Sequence, residues 1–103
     1  MKRVKFHPDV SMDIKKSYQW YEEQSLGLGE ELLDELESSY QAIVDFPKAW
    51  SLFPYGFRRY LLSRFPYSVI YKIDEEILYI VTIMHNSRKP DFWLDRVKDI
   101  KGK

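Results

Sequence analysis

The sequence predicts an α+β fold: an N-terminal strand, an α-helical hairpin, a three-stranded antiparallel meander and a short C-terminal helix. Three observations predict it. Apolar residues recur at three- and four-residue steps as far as Phe46, the period of an amphipathic helix. After Pro54-Tyr55-Gly56 the period drops to two, the signature of strands. The connections between those strands are short, which forces neighbours to run antiparallel. The helices then cover one face of a twisted sheet. The chain of 103 residues is expected to form one domain, residues 1–103, since domains commonly run to about 100–150 residues.

Val4-Lys5-Phe6 is the first strand. His7-Pro8-Asp9 opens a helix, because proline suits the first helical position and an acid suits the first turn. Val10, Ile14, Ser17, Tyr18 and Tyr21 share one face of it, and Gly27 and Gly29 end it. The second helix runs from about Gly29 to Phe46, with Leu32, Leu33, Leu36, Tyr40, Ile43 and Val44 as its apolar stripe. Glu30, Glu31, Asp34 and Glu35 complement the positive end of its dipole, and Pro47 stops it. A glycine loop between two helices makes an antiparallel hairpin.

Phe57, Arg59 and Leu61 alternate with Arg58, Tyr60 and Leu62, so the two arginines point to opposite faces of a strand. Ser68–Ile73 is the next strand and Ile77–Met84 the last, with Asp74-Glu75-Glu76 between them as a hairpin loop. The last strand is almost wholly apolar, as a strand covered on both faces must be. Asn86–Pro90 is a loop, and Asp91–Arg96 a terminal helix capped by Asp91.

The absence of cysteine excludes disulfides, thiolate metal sites and cysteine nucleophiles. No apolar run approaches the roughly 20 residues needed to span a bilayer, and the basic N-terminus has no apolar stretch behind it, so a cytoplasmic protein is expected. The net charge of zero hides an asymmetry. Residues 1–50 carry 6 basic and 10 acidic side chains, whereas residues 51–103 carry 10 and 6. Such a dipolar chain can present a basic face without having the strongly basic profile of a dedicated nucleic-acid binder. His7 and His85 lie far apart, no acidic or histidine spacing suits a metal, and no glycine-rich phosphate loop is present. No cofactor is expected.

The last strand runs into His85-Asn86-Ser87-Arg88-Lys89-Pro90-Asp91-Phe92-Trp93-Leu94-Asp95-Arg96. This His-x-x-Arg-x-Pro-x-x-Trp-x-x-Arg pattern resembles the C-terminal signature of the RelE/ParE toxin superfamily. So does Phe65-Pro66-Tyr67-Ser68-Val69-Ile70-Tyr71, preceded by Phe57-Arg58-Arg59-Tyr60-Leu61. The two blocks look closer to the ParE-like and plasmid-stabilisation branch. The resemblance implies the toxin of a bacterial type II toxin–antitoxin pair, neutralised by a cognate antitoxin. Its target would be DNA gyrase in the ParE-like branch, or mRNA in the ribosome in the RelE-like branch. Some relatives poison nothing.

Metal-independent RNA cleavage needs a base, an acid for the leaving oxygen, and cations on the phosphate. His85 titrates in the right range, and Arg59 and Arg88 could hold the phosphate. These three are the catalytic candidates, with Arg58, Arg64, Tyr67, Trp93 and Arg96 as candidates for contacting a target. Against this, the three strands of the meander offer Lys72 as their one lysine, whereas RelE-like nucleases gather lysines around the phosphate. Simpler roles compete. His85 could be a structural hydrogen-bond donor, one of Arg58 and Arg59 a solvated or helix-pairing charge, and Trp93 a packing residue. The acids from Glu30 to Glu37 are most simply a solvated face. Leu32, Leu36 and Tyr40 are the candidate antitoxin-docking residues on the hairpin, a helix-in-groove mode, with strand addition at the sheet edge as the alternative.

Overall fold

The computed structural model describes residues 3–89 together with Trp93 and Arg96. Its elements are β1 (Arg3–Phe6), α1 (Val10–Gln24), α2 (Leu28–Asp45), β2 (Ser51–Phe53), β3 (Phe57–Leu61), β4 (Tyr67–Asp74) and β5 (Ile77–His85), with a 3-10 turn at Pro54–Gly56. The strands form one mixed sheet in the order β1-β5-β4-β3-β2. The expected meander is therefore a fourth strand longer, and β1 joins it parallel to β5, placing Arg3 opposite Ile77. The expected terminal helix, residues 91–96, lies outside the described residues apart from Trp93 and Arg96.

The α1–α2 turn is built by close approach. A Cβ on Gly29 would lie 2.8 Å from the Tyr18 ring and 2.9 Å from its carbonyl oxygen, so only glycine lets the helices meet there. Gly27 takes φ of 90°, a left-handed value that favours glycine. The Glu22 carboxylate accepts the backbone N–H groups of Gly27 and Gly29 at 3.0 and 2.7 Å, which caps the start of α2. Tyr18 donates to Glu30, and that bond raises the phenol above its ordinary pKa.

The sheet has two apolar faces. On the hairpin side, Val10, Leu32, Leu36 and Ile43 pack with Leu62, Phe65, Val69, Tyr71, Leu78, Ile80 and Ile83. On the other side, Phe57, Ile70, Val81 and Met84 pack with Trp93, which is fully buried. β5 supplies both clusters by alternation, and a bulge in its pairing with β4 sets which residues go to which face. Ile70 faces Thr82 and Tyr71 faces Ile80, so Val81 is the extra residue. Alternation alone would put Ile80 and Ile83 on opposite faces; the bulge returns both to the hairpin side.

β5 also runs beyond the end of β1. His7 N–H donates to the Ile80 carbonyl, and there the strand partner stops. The exposed edge beyond is covered by side chains. Asp13 accepts from Thr82 Oγ1 at 2.9 Å and from the Ile83 N–H at 3.4 Å, and Arg96 donates to the Val81 carbonyl at 3.1 Å. Arg96 and Asp13 in turn form a two-pronged ion pair at 2.6 and 3.0 Å, each less than a fifth exposed. This pairing raises the Arg96 pKa further. The last strand edge is thus closed by a residue from α1 and one from the chain's C-terminal segment, which removes an open template for another strand.

Candidate functional site

The sequence candidates separate onto different surfaces. Arg58 points to the hairpin side and donates to the carbonyls of Lys48 and Trp50 at 3.2 and 2.8 Å, tying down the α2–β2 connection. Arg64 pairs with Glu31 on the surface, while the Glu35 carboxylate accepts from Ser63 Oγ and from the Arg64 N–H. The acidic stretch is therefore only partly a solvated face: Glu22, Glu31 and Glu35 hold a helix start and the β3–β4 loop. Trp93 is buried at the second sheet face, 4.6 Å ring-to-ring from Phe57, and Arg96 is committed to Asp13.

The expected docking stripe on α2 faces the sheet. Leu32 and Leu36 are 0% and 2% exposed. Both are spent on the sheet, because the face that reads as an amphipathic stripe is the one that builds the core. Tyr40 is half-buried beside Phe6, and its hydroxyl has no hydrogen-bond partner among the described residues. Burial pushes that phenol up to about 12, with Glu37 adding to the effect.

The three catalytic candidates do not converge. Arg59 lies opposite Ile70 and belongs to the second face. There its Nε donates to Ser68 Oγ at 2.9 Å and its guanidinium to Asn86 Oδ1 at 3.2 Å, with Phe53 beneath it at 5.3 Å. Ser68 also donates to Asn86. This Arg–Ser–Asn cluster was not expected from the sequence; its members lie 9 and 27 residues from Arg59, and only strand register joins them.

His85 lies opposite Tyr67 on the hairpin side, with the rings 5.2 Å apart edge to face. Its Nδ1 accepts the Ser87 N–H at 3.1 Å and has Ser87 Oγ 2.8 Å away. That bond places the proton of the neutral ring on Nε2. His85, Tyr67, Arg88 and Arg96 line a half-open cleft of about 420 Å³ between α1 and the end of β5. Asp13, Lys16 and Trp20 from α1 complete its wall. Sequence reasoning missed Lys16 and Trp20, whose signal is the i, i+4 spacing that puts them on one helix face. The cleft therefore holds an imidazole, a phenol, an indole and three cations against one acid. It can bind an anion. Among the described residues no group of three or more His, Cys, Asp or Glu side chains could hold a metal ion. No helix among them is long and apolar enough to cross a membrane.

The family model for the ParE toxin of the type II toxin–antitoxin system parDE matches residues 4–90. The chain belongs to the ParE toxin family. Its fold is also found in a chain of the chromosomal ParDE toxin–antitoxin system from P. aeruginosa. That chain is 16% identical, with a TM-score of 0.73 over 82% of this chain and 96% of that one. No curated protein sequence matches. The matched region of the ParE family model takes in α1, α2, β2 to β5 and all of β1 but Arg3, and it contains Arg59, Tyr67, His85 and Arg88.

Proposed function

We propose that this ParE-family chain acts in the cytoplasm by binding proteins: a cognate antitoxin that neutralises it and DNA gyrase as the target it poisons. The family match over residues 4–90 supports the toxin role. One observation favours protein binding over RNA cleavage. Arg59 sits on the opposite sheet face from His85 and Arg88, so the groups a nuclease would need on one phosphate are split by the thickness of the sheet. A lone imidazole supplies either the acid or the base of RNA cleavage, not both together. In this reading Trp93 and Arg96 hold the fold, and exposed Arg88 is a target-contacting residue.

Expression without antitoxin should arrest growth, and the purified chain should inhibit gyrase supercoiling. Co-expression of the antitoxin should reverse both. Unimpaired growth at high expression would sink the toxin reading; growth arrest with gyrase fully active would sink the choice of target.

The second reading, ribosome-dependent mRNA cleavage, is favoured by the cleft that gathers His85, Tyr67, Arg88 and Lys16. Mapping 5′ ends on mRNA in a reconstituted translation reaction decides it. Cleavage by the wild type that falls about 100-fold or more in His85→Ala would establish the enzyme, the usual effect of losing an acid–base group.

A further inference from the structure

Two kinds of group meet in the cleft between α1 and the end of β5. The first kind donates hydrogen bonds to an anion. Lys16 comes from α1, and His85 and Arg88 come from the sheet side. The Nδ1 of His85 is taken up by the Ser87 N–H, so the neutral ring offers a ligand its Nε2–H. Tyr67 adds a phenol. The second kind is a flat apolar ring. Trp20 stands edge-on to Tyr21 with ring centroids 4.9 Å apart, and its side chain stays 55% exposed. The net charge of the place is small. Arg96 is spent on Asp13 and also lies 3.8 Å from Asp9. Lys16 and Arg88 outweigh what those two acids leave over, so the cleft keeps one surplus positive charge. Arg64 and Glu31 pair with each other beside a separate hollow that Glu35 and Tyr60 also line, and they do not alter that balance.

We propose that the cleft is a binding site for a nucleoside 5′-monophosphate, its phosphate held by Lys16, Arg88 and the Nε2–H of His85 and its base laid on the Trp20 indole. Volume, charge and stacking each narrow the ligand. The cleft of about 420 Å³ lies near the lower end of the range for small-molecule sites, about 300–1,000 Å³, which suits a single nucleotide. A terminal phosphate presents several acceptor oxygens to donors that arrive from different elements, and charge-assisted bonds to Lys and Arg are the strong ones. One surplus charge is enough to hold one phosphate at those donors, whereas a polyanion draws its affinity from many cations along a track. The indole supplies a face for the base, since every nucleobase has a π-face to stack on an aromatic ring. The inference goes beyond both functions considered above, because it requires neither a partner protein nor a cleaved bond.

The test uses the whole chain, isotope-labelled, and follows it by NMR with adenosine 5′-monophosphate, adenosine, inorganic phosphate and an oligoadenylate. The monophosphate should shift the Trp20 indole N–H and the His85 ring signals together and saturate in the low-millimolar range. Inorganic phosphate should shift His85 alone and bind at least threefold more weakly, and adenosine should shift neither at the same concentrations. Lys16→Glu should weaken the monophosphate at least tenfold. Trp20→Ala, read at His85, should bring its affinity down to that of inorganic phosphate. Both side chains are exposed, so the variants keep the fold, and an unchanged amide spectrum away from α1 verifies this. Equal binding of adenosine, tighter binding of the oligoadenylate than of the monophosphate, binding undiminished by Lys16→Glu, or no saturable shift with the monophosphate overturns the proposal. The monophosphate has no internucleotide bond to cut, and the sample holds no antitoxin, gyrase or ribosome. Failure here is therefore separable from failure of the toxin assignment.

Discussion

The two faces of the sheet are held in different ways. The hairpin face is covered by two helices that precede most of the sheet in the chain, and its cluster draws on α1, α2, β4 and β5. The second face is covered, among the described residues, by the ring of Trp93, resting on Phe57 and near Phe53 and Tyr55. Among the described residues, one face is covered by a layer and the other by a plug. A layer shares the loss of any one side chain among many neighbours, whereas a plug concentrates the cover it provides in one residue.

Trp93→Ala should therefore be the most damaging single change, costing about 3–5 kcal/mol in urea unfolding. Leu32→Ala on the hairpin side should cost about 2–4 kcal/mol, because neighbouring side chains can partly close the gap. If the leucine variant proves the worse, the contrast between plug and layer is wrong.

The Asp13–Arg96 pair sharpens the same comparison, since it fastens the segment that carries Trp93. Asp13→Ala removes the acceptor of Thr82 and the Ile83 N–H and the closest carboxylate of Arg96, and should cost about 2–3 kcal/mol. A double-mutant cycle with Arg96→Ala should return strong coupling that 0.5 M salt barely weakens. The Arg64–Glu31 pair is exposed on both sides, so its cycle should give under about 1 kcal/mol and fade with salt.

Two tyrosines on the hairpin side behave oppositely. Tyr71 donates to the Pro47 carbonyl at 2.7 Å, so Tyr71→Phe should lose about 1 kcal/mol. Tyr40 has no such acceptor, and Tyr40→Phe should be neutral or slightly stabilising near pH 7. Burial pushes both phenols from 10 to about 12 in the folded chain. A folded-state pKa above the unfolded one contributes stability that is intact below pH 10 and lost as pH rises towards 12. Denaturant midpoints measured across that window should fall, and fall less steeply in Tyr40→Phe.

Much of this architecture was legible in the sequence. The helices and the three long strands begin and end within about two residues of where periodicity and the Gly27–Gly29 and Pro47 breaks put them. β2 was not legible, because Ser51-Leu52-Phe53 is too short to show alternation. The parallel pairing of β1 with β5 was hidden for another reason: nothing local to Val4-Lys5-Phe6 encodes a partner that far along the chain. The opposed directions of Arg58 and Arg59 followed from alternation. Their distance from His85 did not, since it depends on Tyr67 pairing with His85 while Arg59 pairs with Ile70. Leu32 and Leu36 show the limit of an amphipathic stripe as a functional signal: the pattern announces burial, and the sheet of the same chain provides it.

The parallel pairing of β1 with β5 has a consequence for how the protein is made. Arg3 leaves the ribosome first, and Ile77 follows several seconds later, roughly 4–15 at typical synthesis rates. Until then β1 has no neighbour, the α2 leucines lack the strand they pack on, and Asp13 awaits Arg96, which follows β5 in the chain. A nascent chain can close its helical hairpin early but cannot complete its sheet until β5 has been translated. Premature termination anywhere before β5 therefore leaves β1 and the α2 leucines without the strand they pack on.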